Sequence, residues 1–442
     1  MVARLFLFFK QTRTMKQKLL LLVALLVAAT TAWADVEINE TNFPDANFRA
    51  YLTSQTYGSD GVITDAEIAG VTDISVYYRN ISDLKGIEYF TALTSLGCGG
   101  NQLTALDVSQ NSALTNLSCG NNQLTTLDVS KNTVLTSLDC AINQLTTLDV
   151  SQNSALTDLQ CFTNQLAMLD VSKNTALTRL YCYNNQLTTL DVSKNTALKR
   201  FDCRANQLTS LDVSQNTALT VLRCSRNKLT SLDVSQNSAL TDLSCGNNQL
   251  TTLDVSMNTV LTSLGCSINQ LTTLDVSKNT VLTSLECYTN QLTSLDVSQN
   301  SALTSLLCYN NQLSTLDVSK NTALTILLCY CNQIKDDGMD VFVASLPTVT
   351  SEVMRVIYNE GEQNVMTTTQ VATAKAKGWT PYYYDGSDWL EYAGCEPSSI
   401  DIVERSQISA DSIWYTLAGR RISGLPAQKG LYITGGKKVI VR

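Results

Sequence analysis

Twelve cysteines recur at an unbroken interval of 21 residues: Cys98, Cys119, Cys140, Cys161, Cys182, Cys203, Cys224, Cys245, Cys266, Cys287, Cys308 and Cys329. Thiolates are nucleophiles and metal ligands, so a row of them invites redox or metal chemistry. The spacing argues for a plainer role. Parallel strands in register hold their Cβ atoms about 4.8 Å apart, whereas a disulfide wants roughly 3.8 Å. The row therefore reads as small thiols filling one core position. Other catalytic chemistry is scarce. The 442 residues contain no histidine, which removes imidazole bases, histidine triads and histidine-ligated metals together. GxSxG, P-loop and asymmetric carboxylate-pair signals are missing, and Cys395 stands apart from any evident base. An enzyme is the poorest reading, and no cofactor is expected.

The cysteines belong to a repeat running from residue 93 to about residue 333. Leu187-x-x-Leu190-x-Val192-x-x-Asn195 is followed by Leu198-x-x-Phe201-x-Cys203-x-x-Asn206. Both halves have the form LxxLx(C/V)xxN, and each predicts a short strand. Alternate strand side chains point to opposite faces, so Leu190 and Val192 point inward while Asp191 points out. The asparagines Asn101, Asn122 and Asn143 are expected to bond backbone groups at the corners. Self-similarity at this period marks a solenoid.

These motifs resemble the leucine-rich repeat family, in its nested 21-residue bacterial form. Val71-x-x-Ile74-x-Val76, with Asn80, Leu84, Ile87 and Phe90, resembles a 22-residue internalin-like repeat and would be the first coil. The resemblance implies a β-rich solenoid over residues 71–333 with two short parallel strands per coil. A helical N-terminal cap at 35–70, including Phe48, Tyr51 and Leu52, would precede it. An α/β C-terminal cap at 334–394 would follow, with helices at 337–346 and 367–377 and strands at 353–358 and 379–384.

One half of the repeat hardly changes, and its outward row is acidic, from Asp107, Asp128 and Asp149 to Asp317. Like charges in a row repel, so these carboxylates are expected to be hydrogen-bonded and solvated, with bridging cations as the alternative. A separate calcium hint, Asp60-Gly61-Val62-Ile63-Thr64-Asp65-Ala66-Glu67, matches half of an EF-hand loop. Its first and third ligand positions fall on Thr56 and Gly58, which carry no carboxylate. Asp60 and Glu67 are thus weak metal candidates, and Thr64 with Glu67 reads better as a helix-capping box.

The other half varies. Its outward positions read Asp158, Gln160, Phe162, then Arg179, Tyr181, Tyr183, then Arg200, Asp202, Arg204, then Val221, Arg223, Ser225. Arginine and tyrosine are favoured at interfaces. Phe162, Arg179, Tyr181, Tyr183, Arg200, Arg204 and Arg223 are therefore the candidate ligand-binding face, with neutral drift as the alternative. Tyr288, Tyr309 and Tyr330 form a second ladder, where stacking for stability competes with binding. Leu307, Ile326 and Leu328 beside it look like surface that something covers.

The ends bear on location. Met15-Lys16-Gln17-Lys18 opens an apolar run over 19–29 that ends in Ala32-Trp33-Ala34. That is the form of a secretory signal peptide over residues 1–34, with the true start at Met15 and cleavage after Ala34; an uncleaved anchor is the alternative. No membrane span is expected in the mature chain. Residues 395–399 read as a linker. Residues 400–442 resemble a type IX secretion sorting domain through Gly419-Arg420, Lys429-Gly430-Leu431-Tyr432-Ile433 and the basic strand at 437–442. A small β-module that merely ends the fold is the alternative.

The reading that follows is a secreted or surface-displayed protein of a Gram-negative bacterium. It would use the secretion machinery through residues 400–442 and bind an extracellular protein or an anionic glycan. Nucleic acid is excluded by a formal charge of −8. A passive surface-layer spacer is the rival.

Overall fold

The computed structural model describes residues 35–358 and 362–395, together with five strands beyond them. The expected signal peptide at 1–34, the linker residues 396–399, the Gly419-Arg420 turn and Lys429 lie outside the described residues. The chain forms two compact units, Met1–Leu219 and Thr220–Arg442. Both are built as the same parallel-strand β-solenoid with 21-residue spacing.

The first unit opens with strand β1 (Val36–Glu37), paired antiparallel to β2 (Val62–Ile63). Helix α1 (Ala46–Thr53) buries Phe48, Tyr51 and Leu52, and the Asp45 side chain accepts the N–H groups of Asn47 and Phe48 at its start. Helix α2 (Asp65–Gly70) carries the capping box, Thr64 and Glu67 bonding reciprocally. Parallel strands follow in register, one per coil: β3 (Asp73–Ser75), β4 (Ser95–Gly97), β5 (Asn116–Ser118), β6 (Ser137–Asp139), β7 (Asp158–Gln160), β8 (Arg179–Tyr181) and β9 (Arg200–Asp202).

All these strands lie in the variable half. The expected second strand per coil does not form; among the described residues the invariant half makes one isolated bridge, Asp107 to Asp128. The reason is visible in one coil. The Asn195 N–H turns back to the Val192 carbonyl at 2.9 Å, closing a tight turn. The Asn195 amide donates to the carbonyls of Val171 and Asn174 in the preceding coil, both at 2.9 Å. A side-chain amide thus takes acceptors that strand pairing would otherwise use. Leu190 and Val192 still point inward, at 8 and 0 % exposure.

A second asparagine ladder closes the other corner. The Asn185 Nδ2 donates to the carbonyls of Cys161 and Cys182 at 3.0 Å, and its Oδ1 accepts the Leu166 N–H at 3.0 Å. The residue before it, Asn184, is left-handed with φ 53°, and so are Ile142 and Thr163 at the same place in their coils. That costs a β-branched residue roughly 1–2 kcal/mol. The corner persists because its N–H is held by the next coil, as when Ile142 N–H donates to the Phe162 carbonyl at 2.9 Å.

In the second unit the strands are β10 (Val221–Arg223), β11 (Asp242–Ser244), β12 (Ser263–Gly265), β13 (Ser284–Glu286), β14 (Ser305–Leu307) and β15 (Ile326–Leu328). The cap does more than shield the last of them. Helix α3 (Asp336–Ser345) returns the chain to β16 (Glu352–Ile357), which pairs parallel with β15. Helix α4 (Thr368–Ala376), capped by Thr367 and Gln370, returns it to β17 (Trp379–Tyr384), parallel to β16. The antiparallel strand β18 (Trp389–Glu391) ends this sheet. Asn364 continues the asparagine ladder, donating to Cys329 O at 3.0 Å and Val356 O at 2.9 Å. Beyond it, β19 (Asp401–Val403), β20 (Trp414–Tyr415), β21 (Arg421–Ile422), β22 (Gly430–Thr434) and β23 (Lys437–Val441) form a separate sheet. No helix among the described residues is long and apolar enough to cross a membrane.

The ladder thiols are fully buried, and none of the described cysteines is disulfide-bonded. Burial pushes the Cys161 thiol up to about 12, so it stays protonated at neutral pH and is neither nucleophile nor ligand. Cys331 and Cys395 alone are partly exposed. A thiol-specific reagent should therefore titrate those two in the native protein and all 14 cysteines after unfolding. Rapid native labelling of the ladder would contradict this packing.

Candidate ligand-binding face

Strands β7, β8 and β9 bring six of the seven candidate residues onto one face of the first unit. Each of these strands ends one residue before the ladder cysteine, and one residue past that cysteine the side chains of adjacent coils line up. Phe162 and Tyr183 stack with centroids 4.4 Å apart and planes 8° from parallel. The Arg204 guanidinium covers the far side of this pair, 5.4 Å from the Tyr183 centroid. Tyr181 sits on β8 between Gln160 and Asp202 in register.

The arginines are less free than their spacing suggests. Arg179 reaches Asp158 at 2.5 Å, and Arg204 grips Asp202 with two nitrogens, the shortest contact being 2.8 Å. Asp202 is only 4 % exposed, so its charge requires this partner. Arg200 is exposed and makes no ion pair among the described residues. Arg223 lies in the second unit, paired with Asp242 at 2.7 Å. The carboxylates that quench the face were present in the sequence at the same outward positions; what the sequence lacks is which neighbouring coil each arginine leans towards.

In the second unit Tyr288, Tyr309 and Tyr330 stack at successive spacings of 4.4 Å. The column continues into the cap through Tyr358 at 5.4 Å and Tyr384 at 5.0 Å, with Trp389 leaning on Tyr330 and Tyr384. Arg355 lies 4.6 Å from the Trp389 centroid. Inside the column each ring presents its faces to other rings and only its edge to solvent, so the ladder joins repeat to cap. Ile326 remains 48 % exposed beside it.

The metal candidates have structural roles. Asp60 Oδ1 accepts the Val62 N–H at 3.1 Å, and Glu67 Oε2 accepts from Thr64 N and Oγ1 at 2.9 and 2.7 Å. Along the acidic row each aspartate folds back on its own turn; Asp191 Oδ1 accepts the Ser193 N–H at 2.8 Å. That backbone hydrogen bond, aided by the serine hydroxyl, holds the Asp128, Asp149, Asp170 and Asp191 carboxyls below the usual range. Among the described residues no group of three or more Cys, Asp or Glu is placed to hold a metal.

Comparison with known proteins fits this architecture. No family model matches the chain. The structure of a functional domain of InlJ from Listeria monocytogenes, which includes a cysteine ladder, superposes with a TM-score of 0.69 at 30 % identity. The match covers 93 % of this chain and 98 % of that one. The chain belongs to the internalin-like leucine-rich repeat proteins. Internalin J of Listeria monocytogenes is also 44 % identical over 72 residues, 16 % of this chain and 8 % of that protein. This internalin-like chain therefore matches only a small part of that relative's length in sequence. A second internalin structure from Listeria monocytogenes shares the fold, with a TM-score of 0.63 at 23 % identity over 79 % of this chain and 98 % of that one.

The Arg204–Asp202 pair gives a test of the face itself. Arg204→Ala leaves a buried carboxylate without its counter-charge and should cost about 1–2 kcal/mol, the pair being partly open to solvent. Adding Asp202→Asn should recover part of that loss in a double-mutant cycle read by denaturant unfolding. Strict additivity would mean the two groups do not hold each other.

Proposed function

We propose that the protein is secreted or displayed on the outer surface of a Gram-negative bacterium and recognises an extracellular protein through the variable face of its first unit. The observation that carries this reading is the ordered column of Phe162, Tyr183 and Arg204 on the variable half of the repeat. Large rings and a guanidinium already fixed in place lose little entropy on binding. Asp158 and Asp202 offset two of the three arginines there, which weakens the case for an anionic glycan and favours a protein of mixed charge. The relatives support recognition rather than catalysis.

Export rests on other observations. The basic, apolar and A-x-A segments at 15–34 have the order of a signal peptide. The strands at Gly430–Thr434 and Lys437–Val441 pair antiparallel, in keeping with a sorting module at 400–442. The Listeria relatives come from a Gram-positive organism, so the Gram-negative assignment rests on residues 400–442 alone.

The test is a binding screen of the purified protein against extracellular proteins and sulfated glycans, beside a variant with Arg179, Tyr181, Tyr183, Arg200 and Arg204 changed to alanine. A protein ligand bound by the parent and lost at least about ten-fold in the variant is the expected result. A ligand kept by the variant would move the site elsewhere. Binding to sulfated glycans alone would replace the protein partner with an anionic one. With no ligand at all, the spacer reading takes over.

A further inference from the structure

The face also contains a place where the column of side chains stops. One residue past the ladder position, successive coils of the first unit read Tyr77, Gly99, Gly120, Ala141, Phe162 and Tyr183. Three coils of glycine or alanine therefore lie between aromatic rings. At about 4.8 Å per coil, this opens a trough in the outward face. Its cavity of about 170 Å³ is lined by Tyr77, Tyr78, Gly100, Gly120, Asp139 and Phe162, among others.

The walls and floor have distinct chemistry. Tyr77 and Tyr78 lie on bare backbone: a Cβ added at Gly97 would fall 2.3 Å from the Tyr77 ring, and one at Gly100 2.3 Å from that of Tyr78. Opposite them stands Phe162. One of its faces is covered by Tyr183, and the other looks along the coils towards Ala141 and into the cavity. On the floor the Asp139 carboxylate lies across Gly120, where an added Cβ would sit 3.0 Å from Oδ1 and 3.2 Å from Oδ2. Asp139 Oδ1 accepts the Ala141 N–H at 3.1 Å and Oδ2 accepts the Ser118 hydroxyl at 3.2 Å. Each oxygen keeps a lone pair, and unlike Asp158 and Asp202 this carboxylate has no ion-pair partner among the described residues.

We propose that this trough binds one uncharged pyranose ring. A pyranose offers an apolar C–H face to an aromatic wall and vicinal hydroxyls to a carboxylate at its edge. Both features are needed to use Phe162 and Asp139 together. An acidic sugar would meet the Asp139 charge. A quaternary ammonium group is best held by rings closing around it, whereas these walls stand apart across an open floor. The trough shares only Phe162 with the face proposed above, so the failure of either proposal leaves the other standing.

Saturation-transfer NMR on the full chain would decide it. The probes are the methyl glycosides of glucose, galactose, mannose and N-acetylglucosamine, with methyl glucuronide and choline beside them. At least one neutral glycoside should receive saturation, strongest at its ring C–H protons. Ala141→Phe copies the residue one coil further on, so it is compatible with the fold, and it should extend the stack onto Phe162 and close the trough. It should weaken that glycoside about ten-fold or more. Asp139→Ala should weaken it comparably, with thermal unfolding confirming that both variants are folded. No transfer to any neutral glycoside overturns the proposal. So do transfer retained in the folded Ala141→Phe variant, and preference for the glucuronide or choline.

Discussion

The side-chain amide of asparagine holds this molecule together. A coil of 21 residues cannot bury its own backbone, because each corner leaves carbonyls and amides pointing at the next coil rather than at themselves. Asn185 and Asn195 answer this at two corners, reaching back to carbonyls of the preceding coil. Nothing else of that size both donates twice and accepts. The invariance of one half follows from this. There the leucine, the valine, the aspartate that folds onto its serine and the asparagine all take part in one turn, and changing any of them disturbs its neighbours. In the variable half the strand backbone does the pairing, so the outward side chains are released from structural duty.

Aromatic residues on the released positions behave according to their neighbours. Where adjacent coils both carry rings, the rings stack and their faces disappear into the column, as from Tyr288 to Tyr384. Where a ring borders small residues, one face stays open. Phe162 beside Ala141 is such a terminus in the first unit, and Tyr288, following Ser267 and Gly246, occupies the corresponding place in the second. Recognition on a surface of this kind is set by where the stacks end as much as by which residues form them.

Much of this was legible in the sequence, for a physical reason. A period of 21 without insertion fixes which residues share a row, so the buried cysteines, the corner asparagines, the hydrogen-bonded aspartates and the stacked Tyr288, Tyr309 and Tyr330 follow from counting. The capping box of Thr64 and Glu67 is equally local. What counting cannot supply is the direction a flexible side chain takes between rows. Arg179 leans towards the coil before it and Arg204 towards its own strand, and so a face that reads as cationic is nearly balanced. Nor does an LxxLxVxxN segment show that its asparagine has displaced a second strand, since the same spacing serves strand and turn. Nor does counting show that the ladder enters the cap, because the coil there lengthens: Asn364 follows Asn332 by 32 residues, yet takes the same place in the ladder.

The central claim is that asparagine amides at the corners hold each coil to the last, and Asn185→Ala tests it most directly, read by denaturant unfolding together with native-state hydrogen exchange. Removing that side chain leaves the Leu166 N–H without its acceptor and takes one of two asparagine donors from each of the Cys161 and Cys182 carbonyls, which keep Asn164 and Asn206. The account predicts a loss of about 3 kcal/mol and faster exchange at Leu166 than at the strand amides of the same coil. An unfolding midpoint unchanged from the parent, with Leu166 still protected, would mean that strand pairing and core packing hold the coils without it.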